Sequence, residues 1–123
     1  MKRDIDVMRK ILLDLQDHME FCWESFFDRM TRAYKPAQVQ EHIQLLFNEC
    51  LITSDSYDMD ESGEYLHLRC TNKGQDVADI MSNRMVWYAV EERIRHAGGT
   101  VPFDIILEYA NQLIRANIGI SCS

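Results

Sequence analysis

Apolar positions recur along most of the chain in steps of three and four, and one stretch alternates instead. Ile5, Met8, Leu12, Leu15 and Met19 make a stripe, widened by Val7, Ile11 and Cys22. That spacing predicts an amphipathic helix. Asp4 and Asp6 stand at its start, where carboxylates suit the helix dipole. From Trp23 to Tyr34 the chain is crowded with bulky residues. Trp23, Phe26 or Phe27, Met30 and Tyr34 fit a short helix. A strand beginning near Trp23 fits as well, because short apolar runs do not separate the two. Pro36 marks a helix start, since proline suits a first turn. Val39, Ile43, Leu46 and Cys50 are the expected buried stripe of that helix, with Leu45 and Phe47 beside it. Gln38, Gln40, Glu41, Gln44 and Asn48 are expected to point away.

Leu51-Ile52-Thr53 reads as a short strand, and turn formers and acids fill Ser54 to Gly63. Tyr65 to Cys70 then alternate, with Leu66, Leu68 and Cys70 on one face, which predicts a β-hairpin with a long polar tip. Thr71 or Asn72 caps the next helix. The helical pattern runs to Ala97 with a break near Ser82-Asn83, where two local-hydrogen-bonding residues interrupt the stripe. Val77, Ile80 and Met81 precede the break, and Trp87, Val90, Ile94 and Ala97 follow it. Gly98-Gly99 ends that helix. A last helix opens over Thr100 to Asp104, with Ile106, Tyr109, Ala110, Leu113 and Asn117 as its inward candidates, and Ile118 to Ser123 are expected to fray or dock loosely. The expected fold class is mainly α (α+β): one winged-helix-like domain over residues 1–123. Its core spans about residues 1–71, with one hairpin wing and C-terminal helices over about 72–117.

Charge divides this pattern unevenly. The 123 residues carry a net charge of -7. Residues 1–35 hold seven basic and seven acidic side chains. From Glu41 to Asp79 there are nine acids against two bases, Arg69 and Lys73, so this stretch alone accounts for the net charge. In a DNA-binding winged helix, the helix before the hairpin enters the major groove and the hairpin tip touches backbone. Arg29, Arg32, Lys35, Gln38, Gln40 and Gln44 are the candidates for that role. Glutamine can pair with adenine edges, and cations at three-residue steps can hold phosphates. The tip segment holds Asp55, Asp58, Asp60, Glu61 and Glu64 and no base, so phosphate would repel it. An acidic strip suits a basic protein surface instead.

Other chemistry finds little support. Cys22, Cys50, Cys70 and Cys122 form no CxxC pair and are expected to stay free thiols in a reducing compartment. His18 and Cys22 have ligand-like spacing on one expected helical face, but no metal site is expected without further short-range ligands. Asp58-x-Asp60-x-Ser62-Gly63 looks like the opening of a calcium loop, yet its twelfth position is Arg69. No Gly-rich phosphate loop, HExxH or GxSxG is present, and none of His18, His42, His67 and His96 sits beside a candidate nucleophile. His42, at the edge of a buried stripe, reads as structural. Trp87 with Tyr88 and Met85 could form a binding patch, but aromatics and methionine at helical spacing are more often core, and Trp87 reads as core. No apolar run approaches the roughly 18 residues that a membrane span needs. The opening residues carry acids at once and do not read as a secretory signal.

Met1-Lys2-Arg3-Asp4, His42-Ile43-Gln44-Leu45-Leu46 running into Cys50-Leu51-Ile52, Leu68 to Gly74, Trp87 and Gly98-Gly99 together resemble a small phage and prophage family known as a domain of unknown function. The order and spacing of these segments carry the resemblance, which covers nearly the whole chain. It implies a winged-helix-like protein of phage or bacterial origin and assigns no catalytic residue. The chain departs from that pattern at Cys50, where such helices more often end in Ala-Gly.

The expected function is therefore non-enzymatic and cofactor-free: a cytoplasmic binding protein. It would meet a bacterial host or phage protein with a basic surface through Asp55, Asp58, Asp60, Glu61, Glu64 and the neighbouring helix. Blocking a host nucleic-acid-binding or defence protein by phosphate mimicry is one form of this. The alternative is a DNA-binding transcriptional regulator. The C-terminal helices could also form a homodimer seam, with Arg84, Glu91, Glu92, Arg93 and Arg95 as rim charges.

Overall fold

The computed structural model describes residues 4–18, 20–54, 65, 67–98 and 101–122, with side chains in the last segment at 101, 102, 104–113 and 115. The protein is mainly helical with one small antiparallel hairpin. The order is α1 (Ile5–Asp17), α2 (Trp23–Thr31), α3 (Pro36–Asn48), β1 (Ile52–Thr53), β2 (Arg69–Cys70), α4 (Asn72–Ser82), α5 (Arg84–His96) and α6 (Phe103–Cys122). Contacts fall into two compact units, Met1–Ala78 and Asp79–Ser123.

In the first unit α1 begins where the Asp4 carboxylate accepts the Asp6 amide at 3.0 Å. It buries Val7, Met8, Ile11, Leu12 and Leu15. The open question over residues 23–34 resolves as a helix over Trp23–Thr31 followed by a turn, and α2 buries Phe26 and Met30 four residues apart. α3 has Pro36 in its first turn and buries Val39, His42, Ile43 and Leu46. Its packing against α1 and α2 makes the core, together with Leu51, Ile52, Leu68 and Val77. Each fully buried aliphatic or aromatic side chain contributes about 1.5–3 kcal/mol relative to leaving it in water.

His42 does more than sit at an edge: it is fully buried. Its Nε2 accepts the Asp4 amide at 2.8 Å, and its Nδ1 lies 2.7 Å from the Gln38 carbonyl. Since Nε2 accepts, Nδ1 carries the proton, and the neutral ring ties the start of α1 to α3.

Two cysteines depart from the apolar stripes. α1 ends at Asp17, so Cys22 is exposed and instead precedes α2 as its N-cap. Cys50 is also exposed and has φ +61°. The Leu51 amide reaches back to the Leu46 carbonyl and the Cys50 amide to the Phe47 carbonyl, both at 3.0 Å. That paired closure ends α3 with a left-handed residue, a place usually taken by glycine.

β1 pairs with β2 antiparallel, Ile52 opposite Cys70 and Thr53 opposite Arg69. Thr71 joins the hairpin to α4. Its amide donates to the Leu51 carbonyl at 3.0 Å, its hydroxyl donates to the Cys50 carbonyl at 2.7 Å, and the same oxygen accepts the Gly74 amide at 3.0 Å. Lys73 Nζ donates to the Glu49 carbonyl at 3.3 Å. A Cβ on Gly74 would stand 1.8 Å from the Leu51 oxygen, so only glycine fits this approach.

In the second unit Asn83 caps α5 by accepting the Val86 amide at 3.2 Å. α5 buries Val86, Trp87, Val90 and Ile94, and Gly98 follows it with φ +94°. α5 packs on α6, where Ile106 and Ala110 are buried. Arg93 lies 5.4 Å over the Tyr109 ring and donates to Gln112 at 3.1 Å. α6 continues to Cys122 instead of fraying from Ile118.

Candidate functional site

Arg29, Arg32 and Lys35 bring α2 into α3. Arg29 donates from Nε and from a terminal guanidinium nitrogen to the two carboxylate oxygens of Asp14, at 2.7 and 2.8 Å. Asp14 is 10% exposed, so this fork bridges α1 and α2 at the margin of the core. The pairing holds the Arg29 guanidinium above its ordinary range. Arg32 pairs with Asp28 one turn earlier at 2.7 Å, with both side chains well exposed. Lys35 is exposed at the N-cap of α3.

The glutamines do not form one face. Gln38 and Gln40 lie about 160° apart around α3 at 3.6 residues per turn. Both are half-buried at the flanks, while Ala37, Glu41, Gln44 and Asn48 line the exposed face. Gln44 donates to Asn48 at 3.5 Å. That face carries one acid and no base. Asp55, Asp58, Asp60, Glu61 and Glu64 lie outside the described residues, as does the start of the calcium-like sequence.

Alongside the Arg29–Asp14 fork lies an open groove of about 340 Å³, also lined by Arg9, Lys10, Asp17 and His18. Tyr34 also lines it and donates to the Asp6 carboxylate at 2.6 Å. Partial burial and then Asp6 push its phenol well above the ordinary value of 10.0. Arg9, Lys10 and Arg29 line this groove together with Asp14 and Asp17, so it offers no single-sign ligand site.

At the other end of α2 lies an aromatic cluster. Trp23 stacks on Phe27 with centroids 5.0 Å apart, and Phe21, Phe26 and Tyr65 pack around Trp23. Tyr65 also meets Phe47 of α3 at 5.5 Å. Phe21, Trp23, Phe27 and Phe47 are half-buried. The excess of bulky residues over 23–34 was visible in the sequence, but their meeting with Phe47 and Tyr65 was not, because period alone reports one element at a time.

The thiols differ. The Ser25 amide beside Cys22 lowers its thiol below the ordinary 9.0, while burial pushes Cys70 up to about 11. Because α1 stops at Asp17, His18 and Cys22 do not share a helical face. Among the described residues no three His, Cys, Asp or Glu side chains gather as a metal would require. Among the described residues, no helix is long and apolar enough to cross a membrane.

Residues 2–100 match a family described as Hypothetical protein (DUF2513). No curated protein and no solved structure matches the chain.

Proposed function

The chain belongs to the DUF2513 family, and from that premise we propose that it is a non-enzymatic, cytoplasmic binding protein of phage or prophage type that recognises a basic protein surface. The contact runs through Asp55, Asp58, Asp60, Glu61, Glu64 and the exposed face of α3. In this reading α1 to β2 form a winged-helix-like core and the acidic segment is its wing. One observation carries the choice over DNA. Of the three cations that a phosphate contact would need, Arg29 is forked onto Asp14 and Arg32 is paired with Asp28. Turning Arg29 to DNA would strand the nearly buried Asp14 carboxylate, which costs more than a surface contact returns. The second unused asset of a DNA reader, a polar recognition face, is diluted by Glu41 and by the opposed placement of Gln38 and Gln40. The likeness of the element order to DNA-reading winged helices keeps the transcriptional regulator as the second reading, with Lys35 and Gln44 as its exposed contacts.

Fluorescence anisotropy separates the two. A labelled generic duplex and a labelled lysine- and arginine-rich peptide are each titrated at low and moderate salt. The expected result is peptide binding that weakens at least about tenfold when Asp55, Asp58, Asp60, Glu61 and Glu64 are changed to their amides, and no duplex binding. Duplex binding that falls steeply with salt would instead make DNA the partner. Peptide binding indifferent to the five amides would remove the acidic segment from the site.

A further inference from the structure

Among the described residues, the large apolar side chains most open to water are Met85, 81% exposed, and Tyr88, 67% exposed. They stand three residues apart on α5, opposite the buried stripe of Val86, Trp87, Val90 and Ile94. Isolated exposed apolar residues are ordinary. Of the charges around them, Arg84 and Glu92 are placed symmetrically about Tyr88, whereas Glu91 three residues after Tyr88 answers to Met85 three before it. Arg84 lies four residues before it and Glu92 four residues after, so on the helix surface each is one turn from the tyrosine and of opposite sign.

From this arrangement we infer that α5 is a self-association surface whose occupant is the α5 of a second copy of this chain, running antiparallel about a two-fold axis at Tyr88. In that arrangement residue 88−n faces residue 88+n of the other copy. Arg84 then meets the partner's Glu92, and Glu92 meets the partner's Arg84, so one patch is complementary to itself, as an isologous interface requires. The two tyrosines meet at the centre, and each Met85 lies beside them facing the partner's Glu91, whose methylene stem its flexible side chain can cover. Glu92 already contacts Arg95 at 2.9 Å within its own helix. Such an exposed pair contributes little, so Glu92 can exchange partners at small cost. A parallel pairing would instead set Arg84 against Arg84. A single 13-residue helix offers less than the roughly 800 Å² per partner of a standard interface, so the dimer is a weak one, dependent on concentration. The acidic segment plays no part in it, and the inference stands apart from the proposed function.

Sedimentation velocity of the full chain over rising micromolar concentrations tests it, with circular dichroism to verify that each variant is folded. Wild type is expected to pass from monomer to dimer. Tyr88→Asp should hold it monomeric. Arg84→Glu and Glu92→Arg should each weaken dimerisation by at least about tenfold, and the two together should restore it to near wild type, because the reversed pair is again complementary. A wild-type chain that stays monomeric throughout overturns the inference. So does a dimer that tolerates Tyr88→Asp, or a double reversal that fails to recover what each single reversal lost.

Discussion

At Cys50 a side chain occupies the left-handed backbone region that closes α3. An L-residue there carries about 1–2 kcal/mol of strain that glycine does not. Cys50→Gly is therefore expected to stabilise the protein by about 1 kcal/mol, less what glycine adds to the entropy of the unfolded chain. Gly74 is the converse case. Its missing Cβ leaves room for the Leu51 carbonyl, and Gly74→Ala must push either the α4 start or the end of α3 away. A loss of about 3 kcal/mol is expected, at the upper end of what overpacking produces. Urea denaturation of the two variants should move the midpoint in opposite directions. Neither position was legible from periodicity. Cys50 falls on the apolar rhythm of Val39, Ile43 and Leu46, and a rhythm carries no information on the sign of φ. Thr71, by contrast, was readable as a cap, because a hydroxyl before a helical run has one common use.

Among the elements, α2 shows most clearly what neighbours decide. Its sequence fits helix or strand. The helix places Phe26 and Met30 on one side against the core and turns Arg29 toward Asp14 of α1. Replacing Arg29 with Met leaves a carboxylate that is 10% exposed without its fork. The expected cost is about 1.5–3 kcal/mol, the range for a charged hydrogen-bonded pair near the interior. Arg32→Met breaks an exposed pair of the same length, and about 0.5 kcal/mol or less is expected. Thermal unfolding of both variants, with Asp14→Asn closing a double-mutant cycle on Arg29, measures the difference. From sequence the three cations at 29, 32 and 35 looked equivalent. Asp28 four residues before Arg32 was a visible hint of one pair. Asp14, fifteen residues from Arg29 and on another helix, gave none.

For the whole molecule, the raised Cys70 thiol and Tyr34 phenol confer alkaline sensitivity, while the lowered thiol of exposed Cys22 acts in the opposite sense. Cys70 ionises near 9.0 in the unfolded chain and at about 11 when folded, and the Tyr34 phenol is also raised. Both groups lose their protons first in the unfolded state, so their contribution to stability holds below pH 9 and declines as pH climbs toward 11. Melting temperatures across that interval should fall for wild type, and more gently for Cys70→Ala combined with Tyr34→Phe. The amino-acid sequence by itself determined the helical rhythm, the break at Asn83 and the stop at Gly98, since each rests on interactions within a few residues, and the alternation before Cys70 announced a hairpin although its pairs, Ile52 with Cys70 and Thr53 with Arg69, lie far apart in the chain. It also determined the charge imbalance from Glu41 to Asp79, which is a property of composition. Only the tertiary structure decided that residues 23–31 are helical, that His42 is a buried tie to Asp4, and that Arg29 is engaged within the fold. Those outcomes depend on side chains far apart in sequence, and packing and desolvation act on such pairs only once the chain has brought them together.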